Sequence, residues 1–409
     1  MKILHTSDWH LGNKLHGHDR SAELKNMLEQ IAGIVQREEP DLFLLCGDIY
    51  DRANPTNEQQ GIFSESIVRI QSANRKNPHM PIVVIAGNHD SASEHETFTI
   101  PWRMLNVYSI GDVLDNHSEG TSVEERRIIP IPNEEAPMCY VIAIPFSDED
   151  QYNNNPEFVS NLLAKVVEMN THSLPVIMMA HTTVSGANFM GHESTTEETK
   201  DAKKIVGGIE SVNMEQFGSG YDYLALGHIH KPQCVDEKKS SRVWYSGSPI
   251  AINFNEDDDH YVNIVTIDHH GDIPDVRQIP ITNLYPLVTL PSRDTFATWE
   301  EALQMLRDFP ADKYAYIRLN VEGERPSDAM DQALEEVKNR THQWLLTINS
   351  PRIDIPSIQK EALSLTIDQL QSLPPVQLAK KYIEDNHLEW EECWDEMFEE
   401  AEKYVPSNN

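Results

Sequence analysis

Tyr223-Leu224-Ala225-Leu226-Gly227-His228-Ile229-His230 decides the reading of this chain. A short apolar run ends in a glycine and two histidines one residue apart. Side chains alternate along a strand, so both rings fall on one face. Taken alone, the pair is equally well explained as polar residues closing a strand. It gains force from four stretches upstream: Asp8-Trp9-His10, Gly47-Asp48, Gly87-Asn88-His89-Asp90 and His181. Each follows a short apolar run, so each is expected at the exit of a strand.

Around these stretches the pattern alternates strand and helix. Lys2 to Thr6, Asp41 to Cys46 and Pro81 to Ala86 read as strands. Between them, Leu24, Met27, Leu28, Ile31, Ile34 and Val35 keep helical spacing behind a capping Ser21. Residues 57 to 74 read as a second helix. Continuous apolar strands between helices mark a sheet buried on both faces. After Ile100, strand-like runs recur at 139–144, 176–180, 223–226, 242–245 and 261–267, with one helix over 156–169. The Glu- and Thr-rich stretch 191–204 reads as a solvated surface loop.

A chain of 409 residues exceeds one ordinary core. A boundary is expected near Leu284-Tyr285-Pro286. The division is then 1–285 for the main domain, 286–352 for a small α+β domain, and 353–409 for a helical, acidic segment. In that last segment Trp390, Trp394 and Phe398 share one helix face. That face either packs on its own domain or meets a partner.

The net charge of −33 argues against a broadly basic nucleic-acid surface. It does not exclude DNA as a substrate, because metal held by carboxylates can meet phosphates directly. Four scattered cysteines without CxxC spacing point to a reduced, cytoplasmic protein. No apolar window is long enough to span a membrane, and the N-terminal residues lack a signal-peptide pattern.

Asp8, His10, Asp48, Asn88, His181, His228 and His230 are the candidate ligands. Any one histidine alone is more often structural, and His5, inside the first strand, is read that way. The combination is far more specific than its parts. A mixed nitrogen and oxygen set suits Mn²⁺, Fe²⁺ or Zn²⁺. Seven ligands are too many for one ion that keeps an open position, and divide well between two ions sharing a carboxylate. Such a pair lowers the pKa of a bound water and neutralises phosphoryl oxygens, which makes phosphoester hydrolysis the natural reaction. His89, next to Asn88, is placed to protonate the leaving oxygen. Arg20, Asp51, Arg52 and His16 are candidate substrate contacts. His16 and His18 are expected in a loop behind His10, and His269-His270 beside Gly271 in a surface turn.

With Asp8-x-His10, Gly47-Asp48-x-x-Asp51, Gly87-Asn88-His89-Asp90, His181 and Gly227-His228-x-His230 in order, the chain resembles the calcineurin-like metallophosphoesterases. His5-Thr6-Ser7-Asp8-Trp9-His10-Leu11-Gly12, Ala225 to His230 and Ser246-Gly247-Ser248-Pro249 bring it closer to the SbcD family, the nuclease components of bacterial SbcC–SbcD DNA repair complexes. The resemblance covers the chain strongly to about residue 285. It implies an α/β (α+β) fold: a β-sandwich flanked by helices, with a small α+β DNA-capping domain and a helical tail. It implies one Mn²⁺ on Asp8, His10, Asp48 and His230, and a second on Asp48, Asn88, His181 and His228. It implies a double-strand exonuclease and single-strand endonuclease acting on DNA ends by a two-metal-activated hydroxide. That enzyme would serve break repair, recombination and replication as a homodimer with an SbcC-type ATPase. Helices over 57–74 and 94–105 would dimerise, and the tail would dock the ATPase coiled coil.

Two other readings stand beside it. Asp51-Arg52 echoes the protein-phosphatase motif Gly-Asp-x-x-Asp-Arg, which admits a phosphoprotein or a small or cyclic phosphodiester as substrate. Those phosphatases carry Gly-Asn-His-Glu, whereas position 90 here is aspartate. A non-catalytic scaffold is the remaining alternative, and the full ligand set argues against it.

Overall fold

The computed structural model describes residues 1–351, apart from 98, 112–125, 147–156, 189–204, 207–208, 237–240, 257–258 and 341. Met1–Ser350 forms one compact unit, and the segment 353–409, expected to be helical, lies outside the described residues. The face carrying Trp390, Trp394 and Phe398 and the loop at 191–204 lie outside the described residues.

Two six-stranded sheets form a sandwich. The first runs, in spatial order, Asp275–Pro280, Tyr261–Thr266, Lys2–Thr6, Leu42–Cys46, Ile82–Ile85 and Val107–Ile110. Its last four strands are parallel, with Ile3 beside Leu42 and Leu44 beside Val83. The second runs Gln233–Cys234, Val243–Tyr245, Tyr223–Gly227, Val176–His181, Cys139–Ile144 and Ile128–Ile131. Its four inner strands, Val243–Tyr245 to Cys139–Ile144, are parallel to one another.

The apolar runs are continuous because alternate residues serve two cores. Leu42, Leu44 and Cys46 face Ile177, Met179 and Ala225 between the sheets. Phe43 and Leu45 point the other way, to helices Ser21–Glu38 and Asn57–Ala73. On the second sheet Met178, Leu224 and Leu226 face helix Phe158–Met169. Burying a leucine in either layer contributes about 2 kcal/mol. His5 sits in this layer as a structural residue, its Nδ1 2.9 Å from the Tyr223 hydroxyl and its Nε2 3.2 Å from the Leu226 carbonyl. Burial pushes the His5 imidazole down to about 3, so it stays neutral.

Some local expectations need correction. Ser21 is the first helical residue and not the cap: Arg20 holds the cap position, and the Ser21 hydroxyl donates to Asp19 Oδ1 at 2.9 Å. The stretch 94–105 is two short helices, Ala92–Thr97 and Thr99–Met104. His181 ends its strand instead of following it. The strands Val107–Ile110, Ile128–Ile131 and Asp275–Pro280 were not anticipated; the last is an edge strand with a polar-alternating pattern.

Residues beyond Pro286 form a three-stranded parallel sheet, Leu287–Leu290, Ala315–Asn320 and Gln343–Asn349, joined by helices Trp299–Asp308 and Ala329–Val337. Ala315, Ile317 and Leu319 face those helices. Tyr316, on the opposite face, packs with Leu15 and Phe254 of the larger domain. Among the described residues no helix is long and apolar enough to cross a membrane.

Candidate metal centre

Parallel strands bring the ligand stretches together, since each leaves its sheet at the same end. Asp8, His10, Asp48 and His228 all have positive φ, at 56°, 44°, 50° and 91°. Four non-glycine residues in that sparsely populated region mark a site where tertiary packing overrides local preference. The glycines next to them are required by close approach. A Cβ on Gly87 would strike the Asp48 carboxylate and backbone, and one on Gly227 would strike the Cys46 carbonyl.

The seven predicted ligands converge. Asp8, His10 and His230 form one cluster; Asp48, His181 and His228 form a second, with the ligand atoms of each within 4.8 Å of one another. Asn88 belongs with the second: its Oδ1 lies 3.0 Å from both His181 Nε2 and His228 Nδ1. Asp48 reaches both clusters, with Oδ2 3.7 Å from His10 Nε2 and Oδ1 3.4 Å from His181 Nε2. His10, Asp48 and His89 make a third grouping, so distance alone does not separate His89 from the ligands.

Neighbours fix which nitrogen of each ring faces inward. His181 Nδ1 donates to the Cys46 carbonyl at 2.8 Å, and His230 Nδ1 to Glu256 Oε1 at 2.8 Å. That leaves Nε2 of each ring turned to the site, the arrangement by which outer partners orient metal-binding imidazoles. Asp8 is held by Ser7 Oγ at 2.5 Å and by the His228 backbone N–H at 3.0 Å. Asp90 accepts backbone N–H groups from Ile49, Tyr50 and Gly87 at 2.9–3.2 Å, tying the Asp48 loop to the Asn88 loop.

The electrostatics fit a cation. His10 Nε2 lies 3.1 Å from His230 Nε2, a pairing in which at most one nitrogen can carry the intervening proton. His10 Nδ1 is buried without a hydrogen bond among the described residues. Burial pushes the His10 imidazole down to about 3, despite the pull of Asp48. Burial also opposes charge on His181, but Asp48, Asp8 and the Cys46 carbonyl together push it up to about 9. Burial opposes the Asp48 anion too, and the neighbouring His181, His10 and His89 hold its carboxyl well below the usual range. A proton on His181 therefore balances Asp48 where a divalent ion would otherwise do so. The donor set, the facing ring nitrogens and the shared aspartate fit two divalent ions.

The candidate substrate contacts divide. Arg52 is solvent-facing, its side chain 86% exposed, and Asp51 borders the site with Oδ1 3.8 Å from His10 Nδ1. His16 is exposed, with its ring 5.8 Å from that of Phe254. Arg20 is a correction. It is buried, and its guanidinium donates to Glu23, the Ala251 carbonyl and Asn13. Those bonds turn it into an internal clamp and away from substrate. His269–Asp272 does form a turn, and His270 Nδ1 binds buried Asp222 at 2.8 Å.

Glu256 escaped the sequence reading. It heads the run Glu256-Asp257-Asp258-Asp259, which looks like a solvated acidic stretch. The anchoring role of Asp90 was hidden because its partners are backbone amides.

The calcineurin-like phosphoesterase family model matches residues 1–232. A Rhodobacter capsulatus protein, named as the D component of the SbcCD nuclease, is 31% identical over 382 residues, covering 87% of this chain and 89% of that one. The Bacillus subtilis protein of that name is 30% identical over 270 residues, 63% of each chain. The Escherichia coli K12 protein is 25% identical over 340 residues, 78% of each.

Proposed function

The chain belongs to the SbcD family of calcineurin-like phosphoesterases, metal-dependent hydrolases of phosphate esters, and from that premise we propose that it is a Mn²⁺-dependent DNA nuclease. The single observation that carries this reading is Asp48, whose two oxygens face the two ligand clusters. Asp8, His10, Asp48 and His230 would hold one ion, and Asp48, Asn88, His181 and His228 the other. Bound there, the ions supply Lewis acidity for a water nucleophile and offset charge on phosphoryl oxygens. His89 protonates the leaving oxygen. Its Nδ1 is engaged 2.9 Å from the Asp51 carbonyl, and its ring is only partly buried, as contact with substrate requires. Arg52 meets a substrate phosphate from the solvent side.

The proposed substrate is DNA, cut exonucleolytically from duplex ends and endonucleolytically in single strands. The names of the relatives, each the D component of an SbcCD nuclease, support a partner of the SbcC type; the proposal adds a cytoplasmic setting and docking through residues 353–409. A homodimer is supported by the helices Asn57–Ala73 and Thr99–Met104, which border a cavity of about 510 Å³. Val68, Ile100, Met104 and Leu105 are exposed on these elements and the residue that follows. The residues 286–352 are proposed as the DNA-capping domain.

The test is cleavage of linear duplex DNA and circular single strands with Mn²⁺, against bis(p-nitrophenyl) phosphate and a phosphopeptide. Cleavage of both DNAs is the expected result. Turnover confined to the small ester or the phosphopeptide would favour the phosphatase reading that Asp51-Arg52 leaves open. Truncation before Glu361 should spare Mn²⁺-dependent cleavage and release the ATPase, and retained co-purification would count against the docking role.

A further inference from the structure

The strand Ala315–Asn320 faces the larger domain with alternate residues, and two of them, Tyr316 and Arg318, are buried there at 1% and 8% exposure. Spacing of two residues puts both on one face. Each opens a path of hydrogen bonds toward a different part of the metal centre.

The Tyr316 hydroxyl donates to Glu23 Oε2 at 2.5 Å. Glu23 Oε1 accepts from Arg20 Nη2 at 2.9 Å, and Arg20 Nη1 donates to Asn13 Oδ1 at 3.3 Å. Asn13 Nδ2 donates to Asp51 Oδ1 at 3.0 Å, and the Asp51 carbonyl accepts from His89 Nδ1 at 2.9 Å. On the second path Arg318 donates to Asn255 Oδ1 at 3.0 Å and to the Phe254 carbonyl at 3.2 Å. That loop ends in Glu256, which accepts from Asn253 at 2.8 Å and from His230 at 2.8 Å.

We infer that Tyr316 and Arg318 are positioning residues, through which the small domain sets the orientation of His89 by one path and of His230 by the other. This rests on the phosphoesterase reading of the site. The physical reason is the stiffness of the paths. The Arg20–Glu23 pair and its neighbours are buried, so loss of one hydrogen bond leaves a polar group unmatched and moves its partners. A displacement well under 1 Å at His89 or His230 is enough to change turnover or metal affinity.

The experiment uses the full chain, Mn²⁺ and bis(p-nitrophenyl) phosphate, with Mn²⁺ affinity measured by calorimetry. Tyr316→Phe keeps the ring beside Tyr285 and Trp344 and removes only the hydroxyl. It should lower kcat about tenfold, with KM and Mn²⁺ affinity unchanged, and extra Mn²⁺ should not restore it. Arg318→Lys loses the fork onto two acceptors. It should weaken Mn²⁺ binding about tenfold, and saturating Mn²⁺ should restore its kcat. Wild-type kcat in Tyr316→Phe, or wild-type Mn²⁺ affinity in Arg318→Lys, overturns that arm of the inference. If Tyr316→Phe does not fold, Asn13→Ala breaks the same path within the larger domain and should show the same kcat loss with normal KM; wild-type kcat there overturns it. If the wild type turns over no phosphodiester, the enzymatic reading fails. The Arg318 arm is then judged by calorimetry, and the Tyr316 arm by whether its variant changes the ¹⁵N-detected Nδ1–H signal of His89.

Discussion

Glu256→Gln isolates the part played by the group behind one metal ligand. The Glu256 carboxylate accepts from His230 Nδ1 at 2.8 Å, Asn253 Nδ2 at 2.8 Å, the Ile252 N–H at 2.8 Å and Ser248 Oγ at 3.4 Å. Every partner is a donor, so a carboxylate satisfies all of them. An amide of the same shape must turn its own NH₂ toward one of these donors. If it faces His230, the ring is driven to the other tautomer or rotates, and Nε2 no longer points at Asp8 and His10. Removing such an outer partner typically costs 10- to 100-fold in metal affinity, about 1.4–2.8 kcal/mol. The buried mismatch adds about 1–3 kcal/mol of lost fold stability. The assay is calorimetric titration of the metal-free protein with Mn²⁺, alongside thermal unfolding. One of two binding events should weaken by that factor, while the event assigned to Asn88, His181 and His228 stays in place. Equal affinities for both ions in wild type and variant would refute the claim that Glu256 orients a ligand.

Asp48→Ala should remove both ions together, since its two oxygens serve both clusters; metal analysis showing one ion retained would contradict sharing. His89→Ala should keep the metal content and lower kcat by about 10²–10⁴-fold, and unaltered turnover would exclude it as the acid. Gly87→Ala should abolish the centre, because its Cβ has no room beside Asp48. Stability of the metal-free protein should fall at both ends of the pH scale. The His181 pKa is raised from 6.5 to about 9, so its contribution, about 3 kcal/mol, is complete below pH 6.5 and lost as pH rises through about 9. His5 is lowered to about 3, so its contribution is complete above pH 6.5 and lost as pH falls toward about 3. Chemical denaturation across pH 3–10 reads both slopes, and bound divalent metal should remove the alkaline one by replacing the His181 proton.

The sandwich was legible because buried parallel strands leave an unmistakable trace: runs such as Leu42 to Cys46, apolar at every position, can lie only between two packed layers. The metal ligands were legible because each stands where such a run stops. Edge strands carry a weaker signal, and Asp275–Pro280 alternates like a solvated loop. Ser21 misled because a serine before an apolar helix face looks like a cap, whereas Asp19 takes its hydroxyl and N–H. Arg20 misled for a related reason. An arginine near a phosphate site invites a substrate role, but its partners Glu23 and the Ala251 carbonyl come from three and 231 residues away. Glu256 and Asp90 show the general limit. Sequence displays which residues can bind a metal, while the groups that aim those ligands are set by backbone geometry that only the fold supplies.

The most direct test of a centre built on a shared aspartate is a crystal of the Mn²⁺-soaked protein with data collected at the manganese absorption edge. Two anomalous peaks about 3.5–4 Å apart, one among Asp8, His10 and His230 and one among Asn88, His181 and His228, with Asp48 touching both, are predicted. A single peak, or two peaks with Asp48 bound to only one, would contradict the account.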